Sequence, residues 1–333
     1  MNKKAAFAMQ IHWVFVLIAG GIILLFFITV ITSYRGTADT KIAVDMLQNM
    51  DTLFAGAQAS DNTLSTVDMP PQVEVIVTCD VSSQIAIGGT SASRNVEQLL
   101  VFSRSELSAR QLTFFTRMLR MPFIVGNVLY AAESNMRFYV PTSKVDDFVG
   151  IIPEQFMIVT YDDINHIRID GTTAIVVDDH TVMNDIGTDE QLVRAMRRHD
   201  VRVIRYQGSI HEGSAHIHRS RRGERNLQDT GNMEYNNHML FMGILFSESA
   251  EFYECMQKKI IEQVGIQQRL LQKRLDIYIN GIDGELAVSD QFCKTQYEQA
   301  STLLNNNPLS VQQQAQLQQY NRQINTRSCP SIY

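Results

Sequence analysis

Residues 156–179 read FMIVTYDDINHIRIDGTTAIVVDD. The two outer pieces, FMIVTY and TAIVV, are apolar at consecutive positions, as is MLFMGILF at 239–246. A strand with one face in water alternates polar and apolar residues. A strand without that alternation belongs to a sheet covered on both sides. Within HIRIDGTTAIVV, Asp170-Gly171 predicts a hairpin turn between residues 166–169 and 173–177, which makes the sheet mixed. Further short β-branched runs fall at 73–79, 83–87, 98–102, 127–131, 137–140, 166–169, 201–206 and 238–246. Helical patterns at 106–120, 189–199 and 248–279 fall among them. Strands interleaved with helices predict an α/β layered domain over residues 73–247, with a largely parallel sheet.

C-terminal to that domain, residues 248–333 change character and read as a helical subdomain. A long helix over 248–279 is broken by Gly281 and Gly284, and a second covers 285–305. NNNP stops that one, and a Gln-rich third covers 310–325, with Val311, Leu317, Tyr320 and Ile324 as its apolar face. Short turns make such helices antiparallel neighbours. Cys293 and Cys329 then fall near each other, and Cys255, at the head of the long helix, is within reach of Cys79. Four cysteines allow three connectivities, so this is the expected pairing among three. If the chain lies outside the cell, two disulfides are the default. There is no C-x-x-C pair and no N-x-Ser/Thr sequon.

At the other end the chain begins MNKK and then runs for twenty-one residues, IHWVFVLIAGGIILLFFITVI (11–31), without a formal charge. About 20 apolar residues span the roughly 30 Å of bilayer hydrocarbon. We read residues 1–10 as a cytoplasmic N-terminus and 11–33 as a transmembrane helix, with Trp13 and Tyr34 as aromatic anchors at the two interfaces. A cleaved signal has a shorter apolar core and a small-residue cleavage site, and Thr32-Ser33-Tyr34-Arg35 offers none. A pilin-like leader cut near Lys4-Ala5 is the other reading, but residues 1–31 hold no Asp or Glu. Residues 34–60 read as an amphipathic stalk helix, through Ala43, Met46, Leu47, Met50, Leu53, Phe54 and Ala57. That helix either pairs with another copy or lies against the domain. Residues 61–72 read as a linker.

Without Lys3 and Lys4 the chain carries 27 basic against 35 acidic residues. A mildly acidic soluble part has no electrostatic footprint for nucleic acid.

Candidate chemistry is sparse. HEGSAHIH (211–218) is a near miss to H-E-x-x-H, with the second histidine one residue too far and Gly213-Ser214 opposing a helix. In an extended segment His216 and His218 share a face and could hold a divalent metal with His211 or His180. Aspartates also close three strands: Asp80, Asp162 with Asp163, and Asp178 with Asp179. Ligands gather beyond strand carboxyl ends in open α/β sheets, and such carboxylates suit Mg²⁺, though Asp also favours turns there. The basic run Arg219, Arg221, Arg222, Arg225 reads as a solvated loop or as a site for an acidic partner. Gly88-Gly89-Thr90-Ser91 lacks the companions of a phosphate loop. No G-x-S-x-G occurs.

The start MNKKAAFAMQIHWVFVLIAGGIILLFF, VIVTCD with IGG shortly after, and FYECMQKKI together resemble a family of uncharacterised archaeal single-pass membrane proteins. The resemblance implies a cell-envelope location with the C-terminal part outside, and structural cysteines at TCD and YEC. It implies no activity. The expected function is therefore a non-catalytic, membrane-anchored extracytoplasmic binding or assembly protein, without cofactor, held to the bilayer through 11–33 and meeting a protein partner or its own copies. The alternatives are an extracytoplasmic metal-dependent hydrolase and a pilin-like filament subunit.

Overall fold

The computed structural model describes residues 21–26, 28–29, 41, 43–56, 60–70, 73–79, 84–88, 92–95, 100–162, 173–178, 199–220, 227–280, 290–306, 309–327 and 329–333. The chain is mixed α/β, with three sheets that are mostly antiparallel and with helices at its C-terminal end. One four-stranded sheet has the order β1 (Leu64–Asp68), β7 (Gln111–Arg120), β8 (Ile124–Glu133), β5 (Leu100–Phe102). A second has the order β4 (Ser93–Asn95), β3 (Gln84–Ile87), β2 (Val75–Thr78), β6 (Glu106–Leu107) and is antiparallel throughout. The third has six strands: β10 (Met157–Tyr161), β9 (Arg137–Pro141), β11 (Thr173–Asp178), β12 (Asp200–Ser209), β13 (Glu212–Ser220), β14 (Gln228–Tyr235). Only its first four strands are mutually parallel.

A largely parallel sheet was the expectation, and two misread segments account for the difference. Residues 106–120, expected as a helix, form β6 and β7. Thr113, Phe114, Phe115 and Thr116 are β-branched or aromatic and all buried, which suits a strand flanked on both sides by β1 and β8. Residues 238–246, expected as a strand, form a helix. An apolar run of this length does not by itself distinguish the two, and the N-cap decides it. The Asn237 side chain accepts from the Met239 N–H at 2.8 Å. The expected hairpin at Asp170-Gly171 falls outside the described residues, as do all of residues 163–172. Both edges of β11 are taken, by β9 and β12, each in parallel. Two-sided burial, expected of FMIVTY, is not found in β10, an edge strand whose Met157 is 54% exposed; it is found in β12, where Val201 and Val203 are buried on one face and Ile204 and Tyr206 on the other.

Residues 43–56 are helical (α1), and Ala43, Met46, Leu47, Met50 and Phe54 lie in the core. Phe54 meets Phe114 edge-on at 5.7 Å. The stretch read as a stalk thus lies against the domain. Within the stretch read as a linker, Leu64–Asp68 pairs with β7. After β9 come a 3₁₀ turn, Thr142–Lys144, and the short helix α2 (Val145–Val149). Helix α3 (His238–Phe246) is buried from Leu240 onward, wedged between β5 and β8 on one side and β13 and β14 on the other. The Tyr130 hydroxyl donates to its first turn, at Met239 O, at 2.8 Å. Phe102, Phe115, Tyr130 and Phe246 stack or meet edge-on around it.

Gly243 is where α3 touches that cluster. A Cβ there would sit 2.8–2.9 Å from the Phe102 ring, which is itself held between Tyr130 and Tyr253 at 5.8 Å each. Overpacking of this kind costs about 1–3 kcal/mol, and alanine's better helix propensity returns up to about 1. Gly243→Ala should therefore lower stability by about 1–2 kcal/mol in urea unfolding. An unchanged midpoint would mean that the ring yields.

The C-terminal helices α4 (Ala250–Asn280), α5 (Gln291–Leu304) and α6 (Val311–Thr326) match the expected order. Asp290 caps α5, and Ser310 with Gln313 forms a reciprocal capping box on α6. All three share the single hydrophobic core with the sheets. Disulfides join Cys79, just after β2, to Cys255 in α4, and Cys293 in α5 to Cys329 beyond α6. That is the connectivity the helix order points to.

A buried ionic network joins the sheets to α4. Arg104 bonds Asp200 at 2.8 Å and Glu133 at 3.3 Å. Glu248, between α3 and α4, pairs with Arg219 and accepts from the Ser105 hydroxyl and, at 2.8 Å, from the Ser105 N–H. Fully buried Arg202 donates to Ser247 O at 2.5 Å. Burial, with Arg104 nearby as a like charge, lowers the pKa of Arg202 to about 9.

Candidate functional site: a cleft at the carboxyl ends of the parallel strands

In the six-stranded sheet the chain leaves β9 toward β10 on one side and leaves β11 toward β12 on the other. That reversal is a topological switch point, where open parallel sheets leave a crevice beyond their carboxyl ends. A cleft lies near the carboxyl ends of β9 and β12. It measures about 570 Å³, within the usual range for small-molecule sites. Helix α2, which follows β9 after the 3₁₀ turn, contributes Asp146 and Asp147 to its lining. The turn after β12 contributes Ile210 and His211. Arg117 and Arg120 of β7 and His238 at the start of α3 line it too, and Met118, Met239 and Met242 supply apolar surface. A smaller hollow of about 250 Å³ continues past Asn62 and Arg117 along β1.

Local structure sets each side chain. The Asp61 carboxylate accepts the N–H groups of Asn62 and Met118, both at 2.9 Å, tying the turn before β1 to β7. Asn62 has φ 58°, a left-handed conformation that asparagine tolerates, and its side-chain oxygen accepts from Arg117. Arg117 is thus positioned by a neutral amide. The β7–β8 register skips Val125 of β8 between Leu119 and Arg120, and Arg117 and Arg120 both line the cleft. Arg120 O accepts from Asn237 Nδ2 at 3.1 Å, which joins β7 to the α3 cap. The rings of His211 and His238 meet edge-on at 5.6 Å. Burial, followed by His211 and Arg117, lowers the His238 pKa below its ordinary value.

The β12–β13 turn is fastened at its base. The Ser209 hydroxyl accepts from the N–H groups of His211 and Glu212, and the Tyr235 hydroxyl donates to Ser209 O at 2.8 Å. Gly213 is required here, because a Cβ would lie 2.1 Å from Gln207 O and 2.7 Å from the Tyr235 hydroxyl. Backbone cannot retreat as a side chain can. Gly213→Ala should cost more than Gly243→Ala, at least about 2 kcal/mol. Parallel urea melts of the two variants check the order.

The expected histidine site is split. His211 lies in the cleft, whereas His216 and His218 lie along β13, with His216 about 17 Å away at strand rise. An extended strand parts residues that a helix would have gathered. His216 and His218 do stack, at 6.4 Å, and His216 Nδ1 is 4.0 Å from Asp229 Oδ1. His218 Nε2 is buried without a hydrogen-bond partner, and burial lowers its pKa, with Asp229 opposing. Among the described residues no three His, Cys, Asp or Glu side chains converge as metal ligands. Asp162 is exposed beyond β10 and Asp178 ends β11, two strands away in the sheet. The Asp178 side chain and residues Asp80, Asp163, Asp179, His180, Trp13 and Tyr34 lie outside the described residues, as do Gly89-Thr90-Ser91 and Arg221, Arg222 and Arg225. Arg219, read as part of a solvated run, is instead the ion-pair partner of Glu248.

No protein family, no curated protein and no solved structure matches this chain. The cleft must be judged on its own chemistry. It presents fixed cations, a pair of histidines and carboxylates around an apolar floor. Among the described residues it holds no serine or cysteine beside a base. Sequence reading missed Arg117, Arg120, His238, Asp146 and Asp147. The signal available was Asn237 as a cap just before an apolar run, which would have put His238 at a helix start.

Proposed function

We propose that the protein is a membrane-anchored, extracytoplasmic binding protein of the cell envelope, non-catalytic, with its ligand in the cleft. The observation that carries the anchor is the exposure of the helical residues in the apolar segment: Ile22 to Phe26 and Ile28 are 49–64% exposed. Consecutive apolar side chains around a whole helix, uncovered by the rest of the chain, suit hydrocarbon. Most of residues 11–33 lie outside the described residues. Among the described residues no helix is long and apolar enough to cross a membrane. The two disulfides support an oxidising compartment. The fixed cations and carboxylates of the cleft suit recognition, since they orient a ligand without supplying a nucleophile.

The test is fractionation of the full-length chain from its own cells, with Leu24→Arg as the comparison. The expected outcome is that the native chain stays with membranes through alkaline carbonate and needs detergent for release. The variant should shift toward the soluble fraction, because a mid-span arginine costs about 2.5–3.5 kcal/mol. A native chain that carbonate releases would sink the reading. Protease added outside intact cells should remove the α/β part and spare the N-terminus.

A further inference from the structure

We propose that the cleft binds a zwitterion of the amino-acid or short-peptide class, with the carboxylate end on Arg117, Arg120 and His238 and the ammonium end on Asp146 and Asp147. This rests on the binding reading above and names its ligand.

Among the described residues neither Arg117 nor Arg120 has a carboxylate at ion-pair distance. Arg117 is held by the amide oxygen of Asn62, and Arg120 has the Met118 sulfur at 3.4 Å. His211 and His238 add two imidazoles 5.6 Å apart rather than an acid. Asp61, which also lines the cleft, accepts two backbone N–H groups on its Oδ1. Guanidinium forks match a carboxylate in geometry and gain most when it comes desolvated into an apolar-floored cleft.

Asp146 and Asp147 on α2 line the same cleft, and among the described residues no cation pairs with either. The cleft thus holds two arginines and two aspartates that do not pair with one another. A simple anion would neutralise the arginines and be repelled by the aspartates, and a simple cation would do the reverse. A ligand with both charges at its ends satisfies both sets at once. The Met118, Met239 and Met242 floor, being adaptable, tolerates varied side chains between those ends.

Triglycine is the probe, titrated calorimetrically into the detergent-solubilised full-length protein, with N-acetyl-triglycine and triglycine amide as its singly charged counterparts. Triglycine should bind, and each blocked peptide should bind at least about tenfold more weakly. In Arg117→Met/Arg120→Met the penalty for amidation should vanish, and in Asp146→Asn/Asp147→Asn the penalty for acetylation should vanish. The blocked peptides test the native protein, so the proposal does not depend on the variants folding. Failure of triglycine to bind at millimolar concentration overturns the proposal. So does an acetylated peptide that binds as well as the free one, which would leave a plain anion site. Neither result touches the carbonate fractionation, so failure of the ligand and failure of the anchor are told apart.

Discussion

Removing the Cys79–Cys255 bridge, by Cys79→Ala with Cys255→Ala, is expected to lower stability more than removing Cys293–Cys329. The first closes a sequence separation of 176 residues and the second one of 36. Loop-closure entropy in the unfolded chain then gives roughly 5 kcal/mol against roughly 4, and losses of native bridges run from about 2 to 5. Architecture widens the gap. The first bridge ties the small β4-β3-β2-β6 sheet to α4, and the edges of that sheet are short strands of three and two residues, β4 and β6. Chain length alone gives such a sheet little independent stability. The second bridge joins neighbouring helices that already share Tyr297, Ala300, Leu317 and Ile324 as buried side chains. For a chain of this size, losing the first bridge should lower the melting temperature by roughly 5–10 °C. Paired thermal melts of the two double variants decide it. A larger loss from the Cys293–Cys329 pair would overturn the argument, and so would no loss from either. Reductant added to the native protein should reproduce the larger effect.

The sequence told unequally about different parts of this molecule, for physical reasons. The C-terminal helices were legible because their signals are local: a 3.6-residue apolar period, and Gly or Pro at the breaks; only the Asp290 cap, which starts α5 at Gln291 rather than 285, went unread. Once those helices were in order the cysteine pairing followed. The strand-forming runs were also legible, but their pairing was not. Whether a strand finds a parallel or antiparallel neighbour depends on connections, and residues 106–120 and 238–246 were read in each other's structural class. Their tertiary setting decided both. Thr113 to Thr116 lie between two strands, and α3 lies between two sheets, where an all-apolar helix is stable. The cleft was invisible for the same reason. Arg117 and Arg120 looked like the polar face of a helix, and nothing local links Asp146 to His238. The place was foreseeable, since strand carboxyl ends are where ligands gather, but the residues there were not the expected aspartates.

Glu248→Gln is expected to be the most damaging single change outside the glycines, costing about 3–5 kcal/mol, because it removes the buried counter-charge and leaves buried arginines behind. Glu248 is 5% exposed, and Arg219 and Ser105 contact it directly. Arg202 and Arg104 add positive charge from the same interior. Glutamine keeps the shape and an oxygen for the Ser105 N–H, so the loss reports the charge rather than a cavity. Acid should expose the same group. Burial alone would push the Glu248 carboxyl up, but the Ser105 hydroxyl, Arg219, the Ser105 N–H and Arg104 together hold it below its ordinary value. A carboxyl with a depressed folded-state pKa contributes stability that is fully present above the unfolded value, about 4.3, and is lost as pH falls through the folded one. Urea unfolding from pH 7 down to pH 3 should therefore show a falling limb below about pH 4 in the native protein, and a shallower one in Glu248→Gln. Two limbs of equal slope would mean that Glu248 is not a group the fold holds ionised, and the network would then owe its stability to packing rather than to charge.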